Sequence, residues 1–233
     1  MFNRLIGNLP RKERDRTLVC CEQVELVFGD ILSKPGQPIQ HVYFPLTSFI
    51  SQIATVGEHS SLETGLIGNE GVLGATLVLG VNSALLLARV QGPGMALRMT
   101  AGEFLNVSHD NPVLLHAFKR YLYVQMAQLS QTAVCTHFHM IESRLARWLL
   151  MAHDRAHADH FHLTHEFLAS MLGVRRSAIT IAAGALQKRK IISYSRGGIT
   201  VLDRHDLEAA SCECYQLGRS TYARIFSGAD VPA

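Results

Sequence analysis

The chain has 233 residues, 48% of them hydrophobic and 18% charged, with a formal net charge of +3. That is enough apolar side chain for one or two packed cores, which excludes disordered, collagen-like and purely coiled-coil chains. No apolar run reaches the roughly 18 residues of a membrane helix, and Met1 to Pro10 is followed by Arg11, Lys12, Glu13 and Arg14, so neither a span nor a signal peptide is expected.

Five cysteines without paired spacing fit reduced thiols in a cytoplasm. Charge is uneven along the chain. Between His165 and Arg204 seven Lys/Arg stand against two acids, a net of +5, which leaves −2 for the rest. A basic segment on a nearly neutral chain fits either a nucleic-acid footprint or a solvated face.

Residues 20–105 carry Gly and Pro at short intervals. Between them lie the runs His41–Phe44, Ser48–Val56, Leu62–Ile67, Ala84–Val90 and Met95–Met99. Short strands with turn signals every 8–12 residues or so predict a sandwich, barrel or jelly roll. Residues 112–135 contain no Gly. Pro112 suits a first helical turn capped by Asp110 or Asn111, and the spacing predicts a helix of about 23 residues, roughly 34 Å long. Leu115, Leu122 and Leu129 recur at seven, with Phe118, Gln125 and Thr132 as a second row. Such a seam packs on its own domain or pairs with a second copy.

From about Phe138, helical spacing returns in Ile141, Leu145, Trp148, Leu149 and Ala152. His153 to His162 reads as a polar loop. Ile191–Ser193 and Ile199–Val201 flank a hairpin turn at Arg196-Gly197-Gly198, and Asp203 caps one last helix from about Arg204 to Phe226.

The segment from Leu163 to Thr180 is the most informative. Thr164 is a good N-cap, and Phe167, Leu168 and Leu172 face a core. Ala169 is small where two helices must cross, Gly173 permits a positive φ in the turn, and Ile179 is the buried residue of the second helix. A small residue, Gly at +4 and a β-branched residue at +10 meet the steric needs of a helix-turn-helix, and the basic second helix with a following hairpin makes it a winged one. The second helix, about Arg176 to Lys188, opens with Arg175, Arg176, Ser177 and Thr180 and no acid. Cations there oppose the helix dipole by about 0.3–1 kcal/mol each, a cost that makes sense if this end docks on DNA. Arg176 is assigned to a base, because Arg reads guanine bidentately. Arg175, Ser177 and Thr180 are assigned to backbone or bases, with Thr164 beside them. Lys188, Arg189, Lys190 and Arg196 are assigned to phosphates, although Lys188 to Lys190 equally complement a helix C-terminus.

In this order the parts resemble the Crp/Fnr family of bacterial transcription regulators. The resemblance rests on Gly29-Asp30-Ile31-Leu32 through Pro35-Gly36, on Gly71-Val72-Leu73-Gly74, on the helix-turn-helix at 164–183, and on Ile192 to Gly197. It implies an α+β chain: an N-terminal β-roll (jelly-roll, cyclic-nucleotide-binding-like) over 1–108, a dimerisation helix over 109–137, and a C-terminal winged helix-turn-helix with its last helix over 138–233. It further implies a cytoplasmic homodimer on a palindromic double-stranded DNA site, contacts with RNA polymerase, and no membrane association.

The implied effector pocket comprises Gly71, Val72, Leu73, Gly74, Asn82, Ser83 and Ala84. Members that bind cyclic nucleotides carry a Glu where this chain has Val72 and an Arg where it has Asn82. Losing one partner of a buried charge pair costs about 2–5 kcal/mol, so cyclic AMP is not expected to bind in the usual way. The recognition helix departs too: Arg176-Ser177 and Ile181 replace Arg-Glu and a later Arg of the cyclic-AMP-receptor branch, so the half-site should differ. No cofactor is predicted, while haem (with His41 or His59) or another small effector stays open, as does a sensor reading in which effector binding gates DNA binding.

No metal site is predicted. Cys20-Cys21 have only Cys135 to help form a cluster. Cys212 and Cys214, placed on the last helix, would point to different faces. His153, His157, His160, His162 and His165 read as a polar histidine-rich loop. No Ser/His/Asp, P-loop or paired-carboxylate signature appears, so no enzyme is expected.

Overall fold

The computed structural model describes residues 3–57, 60–156, 158–195 and 197–227. The chain forms two compact units, Met1–Ile53 with Gly65–Met126, and Ala54–Thr64 with Ala127–Ala233.

The first unit opens with two helices absent from the sequence reading, α1 (Arg4–Gly7) and α2 (Arg11–Val19). Asn3 anchors them. Its buried side chain accepts from the Leu5 amide and donates to the Pro45 and Gly71 carbonyls at 3.1 and 2.8 Å. The strands follow: β1 (Glu22–Leu26), β2 (Ile31–Ser33), β3 (His41–Pro45), β4 (Phe49–Val56), β5 (Ser60–Ile67), β6 (Leu87–Gly92) and β7 (Gly94–Thr100). They form two sheets, ordered β1-β7-β3 and β2-β6-β4-β5. β4 runs from the first unit into the second, and β5 runs back from the second into the first. Alternation along the strands sends Leu26, Tyr43, Ile50, Ile67, Ala88, Val90 and Ala96 into one core, which Leu73 joins through an isolated bridge to Tyr43. Four of the five predicted runs match strands closely. The fifth begins later, at Leu87, because residues 75–79 form a 3-10 turn and 80–86 a loop.

Thr100 and Glu103 make a reciprocal capping box that starts α3 (Ala101–Asp110), also unanticipated. The Asn111 side chain accepts from the Leu114 amide at 3.0 Å, which starts α4 (Pro112–Phe138), a helix of 27 residues. In its first-unit part Leu114, Phe118, Tyr121 and Val124 are buried.

The second unit holds α5 (Ile141–Ala156), β8 (His160–His162), α6 (His165–Leu172), α7 (Arg176–Lys188), β9 (Ile192–Ser195), β10 (Gly198–Val201), α8 (Arg204–Ala210) and α9 (Cys214–Phe226). The winged sheet has three strands, ordered β8-β10-β9, not the expected pair. The supposed loop of 153–162 is largely the end of α5 plus β8. The supposed single last helix is broken at 211–213, where Ser211 turns extended. Around this break Arg204 donates to Asp154 at 2.6 Å, to Tyr215 at 2.7 Å and to Glu208 at 3.1 Å. This network fixes α8 and α9 against α5 and spends one of the seven cations counted in the basic segment.

Candidate nucleic-acid interface

Local chemistry builds the helix-turn-helix. The Thr164 hydroxyl accepts from the Phe167 amide at 3.1 Å and caps α6. At the other end Gly173 adopts φ 64, and Val174 donates back to the Ala169 carbonyl at 3.0 Å. That is a Schellman-type stop, in which glycine takes the left-handed position without steric cost. Ala169 and Ile179 are buried at 4% and 0%, so the close crossing expected from the sequence is present. Arg144 on α5 donates to the Leu172 carbonyl and satisfies the end of α6. The residues at the tip of β4–β5 join this unit: Trp148 Nε1 donates to Glu63 at 2.8 Å, and the Ser61 hydroxyl donates to the Ser170 carbonyl at 3.3 Å.

Helix α7 has two faces. Ile179, Ala182, Ala183 and Leu186 are buried. Arg176, Ser177, Thr180, Ile181, Gly184, Gln187 and Lys188 are exposed, and their spacing puts them on the opposite face. Arg175 stands at the N-cap with no side-chain bond to the helix and no acid in the first turn. The first amides of α7 therefore point outward with a positive dipole end, the arrangement that binds phosphate. Ile181 is 75% exposed. An aliphatic side chain held out between polar neighbours suits the methyl group of thymine. Ile181, Gly184 and Gln187 were not assigned from the sequence, although extending the helical period from Arg176 and Ser177 leads to them.

The predicted contacts sort unevenly. Among the described residues no acid pairs with Arg175, Arg176, Lys188 or Lys190, and all four are exposed. Arg189 instead donates to Glu142 on α5 at 3.1 Å, so it is an intramolecular tie rather than a free phosphate contact. Lys190 has φ 59 in the turn after α7, a position glycine usually fills. The Thr180 hydroxyl is also engaged: it donates to the Arg176 carbonyl at 3.2 Å and lies 3.0 Å from His165 Nδ1. With its proton given to the carbonyl, Thr180 accepts from Nδ1–H, which places a ring proton on Nδ1. The His165 ring stacks on Tyr194 of the wing at 4.1 Å, and its Nε2 is buried without a hydrogen-bond partner among the described residues. Burial, with Arg176 nearby, holds the His165 pKa below the usual histidine range. Arg196 lies outside the described residues, as do His59 and His157. Two more of the predicted polar set have separate partners, His153 with Asp159 and Arg204, and His160 with Thr200.

In the first unit the predicted pocket positions serve structure. Val72 is fully buried and Leu73 nearly so, with its backbone paired to Tyr43 at 2.9 and 3.1 Å. A Cβ at Gly71 would lie 2.0 Å from the Tyr121 hydroxyl, so that glycine makes room for α4. Gly74 has φ 96 and starts the 3-10 turn. Asn82 and Ser83 are exposed, and Asn82 Oδ1 accepts from the Ile39 amide at 3.1 Å. Ala84 pairs its backbone with Gln37 and Gly36.

On α4 the two predicted rows part company. Phe118 is fully buried against Phe104, with ring centroids 4.7 Å apart, so it is a core residue and not part of an outward seam. Gln125 donates to Gln52 at 3.1 Å, and Thr132 accepts from Arg147 at 3.4 Å, so both also turn inward. Leu115 and Leu122 are half-buried, while Leu129 is 50% and Met126 67% exposed. The outward apolar row is thus Leu115, Leu122, Met126 and Leu129.

Residues 143–210 match the Crp-like helix-turn-helix domain. No curated protein matches the chain. Its fold is shared with several solved structures. One, from Eubacterium rectale, is assigned to the Crp/Fnr transcriptional regulators (14% identity, TM-score 0.70, covering 88% of this chain and 96% of that one). A second is the cyclic-di-GMP-responsive global regulator CLP of Xanthomonas campestris (16%, 0.67, 82% and 99%). A third is a Crp/Fnr-family regulator of Thermus thermophilus (21%, 0.68, 82% and 98%). The chain thus carries a Crp-like helix-turn-helix domain at 143–210 and shares the fold of these Crp/Fnr-type structures over more than four fifths of its length.

Proposed function

We propose that the protein binds a palindromic DNA site as a homodimer, each copy laying α7 in the major groove. The observation that carries this is the exposed row on α7, from the uncapped N-terminus at Arg175 and Arg176 to Lys188 and Lys190. Arg176, Ser177 and Ile181 read bases. The α7 amides, Arg175, Lys188 and Lys190 hold phosphates. The outward row of Leu115, Leu122, Met126 and Leu129 on α4 pairs with a second copy, which sets the two recognition helices about one DNA turn, roughly 34 Å, apart. The protein works in the cytoplasm, where its DNA target is, and meets RNA polymerase there. No described helix is long and apolar enough to cross a membrane.

The β-roll does not take cyclic AMP in the usual way. Val72 offers no hydroxyl-binding carboxylate, and Asn82 supplies neither charge nor a free amide oxygen. A second reading, in which another small effector gates DNA binding, is favoured by Gln91. Its Oε1 is buried in the β-roll unit with no hydrogen-bond partner among the described residues. Leaving such an oxygen unpaired costs about 1–3 kcal/mol, which a ligand donor would recover.

Selection of binding sites from a random duplex pool, with ligand-free protein at two salt concentrations, tests the reading. Recovery of a palindrome supports it, and a folded dimer that selects nothing moves the search to an effector. Arg176→Ala should cost about 1–3 kcal/mol and relax preference at one base position. Lys188→Ala should weaken all sequences alike and lower the salt slope by about one. Identical behaviour of the two variants would overturn the assignment of roles.

A further inference from the structure

Four side chains that play no part in DNA reading converge in the second unit. Cys135 and His139 lie four residues apart at the end of α4, hence on one face. Cys212 sits in the break after α8, and Cys214 opens α9. Had 204–226 been one helix, as the sequence reading had it, residues two apart would have pointed different ways. The break turns both thiols inward. All four donor atoms fall within 4.8 Å of one another. Cys135 Sγ and Cys212 Sγ are 3.6 Å apart, and Cys214 Sγ and His139 Nδ1 3.3 Å. A tetrahedral zinc ion with bonds of about 2.3 Å to sulfur and 2.0–2.1 Å to nitrogen has edges of about 3.8 and 3.6 Å. These two edges are within a few tenths of an ångström of the tetrahedral values, and every other edge is at most 4.8 Å.

The surroundings are those of a metal site. Glu213 Oε1 lies 3.2 Å from His139 Nε2. A carboxylate on that nitrogen holds the proton there and leaves the Nδ1 lone pair facing the three sulfurs, the usual support of a metal-bound histidine. Gln131 donates to Cys214 Sγ at 2.9 Å. The three cysteines are 1%, 7% and 1% exposed. Three thiolates, one imidazole and a divalent ion carry a net charge of −1. The Arg147 guanidinium donates to Thr132 at 3.4 Å, three residues before Cys135, and its Nε is buried with no hydrogen-bond partner among the described residues.

We propose that Cys135, His139, Cys212 and Cys214 form a closed Cys3His site for zinc, which fastens the start of α9 to the end of α4 and so fixes the base of the helix-turn-helix unit. Four protein ligands leave no open position, so the role is structural. Loading transfers the thiol protons to solvent and involves no oxidation. The proposal stands apart from the DNA-binding reading and survives or fails without it.

The test uses the full chain, purified reduced from zinc-supplemented cells, with elemental analysis for metal. About one zinc per chain is expected. It should be retained when Cys20 and Cys21 are both changed to Ser and lost in Cys212→Ser. Because Cys212→Ser could unfold the unit, Glu213→Gln supplies the milder probe. That variant should keep its circular dichroism yet bind zinc about 10–100-fold more weakly in competition with a chromophoric chelator. Cobalt added to the metal-free protein should give thiolate charge-transfer and tetrahedral ligand-field bands. A folded, fully reduced protein that holds no zinc and gives no cobalt bands would overturn the proposal. So would a Cys135–Cys212 disulfide in protein purified without oxygen, or Glu213→Gln binding zinc as tightly as the parent.

Discussion

The recognition helix and the β-roll pocket treat their polar groups in opposite ways. On α7, Arg175 and Arg176 stand exposed without an acid partner among the described residues, and no side chain caps the helix start. In the β-roll, Asn82 is bonded to Ile39, Leu73 to Tyr43, and Gly71 is filled in by Tyr121. A surface that binds a partner keeps its donors available and bears the local cost. Positions tied up in internal bonds have fewer donors and acceptors to offer a ligand. On the proposed reading, specificity resides in the second unit, and the contrast can be broken at several points.

The largest effect should come from the outward row of α4. Leu129→Glu with Met126→Glu places charges on side chains that are 50% and 67% exposed, so the single chain should fold as before. Loss of pairing would remove the joint hold on two half-sites, which is worth about 10²–10⁴-fold in affinity. Sedimentation and a DNA titration on the same samples check this. A double variant that stays dimeric would place the seam elsewhere.

Asn82→Ala tests the other side of the contrast. It removes the acceptor for the amide of Ile39, a residue 8% exposed, and should cost about 1–3 kcal/mol of stability. Half-site preference should not change. A variant of parental stability with altered DNA affinity would show that the position still senses a ligand.

How far the sequence spoke for itself can be seen residue by residue. Thr164, Ala169, Gly173 and Ile179 announced the helix-turn-helix because each answers a local steric or capping need within one short segment. The strands at 41–45 and 94–100 were legible for the same reason. The fate of the basic residues was not. Arg189 and Arg204 are claimed by Glu142 and by Asp154 and Glu208, and the acids on α5 are tens of residues away in sequence. The α4 rows were misjudged at Phe118, because heptad spacing alone does not say which stripe meets the chain's own core. The thiol cluster was hidden twice over. Cys135 and Cys212 are 77 residues apart, and the break at 211–213 that brings Cys212 and Cys214 together contains neither Gly nor Pro.

Lys190 sharpens the case for bearing a local cost at a binding surface. A non-glycine residue at φ 59 loses about 1–2 kcal/mol to the clash of its Cβ. Lys190→Gly should therefore stabilise the protein by about 1 kcal/mol, read from thermal or denaturant unfolding. If Lys190 holds a phosphate, the same variant should bind DNA more weakly with a salt slope smaller by about one. Gained stability with unchanged DNA binding would mark Lys190 as strain without function.

The smallest expected effect lies in His165, which joins the two helices of the motif to the wing. Its pKa is held below the ordinary value by burial, with Arg176 adding to the shift. In the unfolded chain the same ring takes up its proton near pH 6.5. Just below that pH the unfolded state binds more protons than the folded one, so stability falls as the solution is acidified. The contribution of neutral His165 is fully present above about pH 6.5 and is lost progressively as pH drops toward the folded pKa. His165→Asn keeps a donor toward Thr180 but cannot titrate. Unfolding measured from about pH 7.5 to about pH 5 should show the parent losing stability relative to this variant as pH falls. Parallel curves would mean that Nε2 finds an acceptor on protonation, and that the stacked His165–Tyr194 pair tolerates a charge beside Arg176.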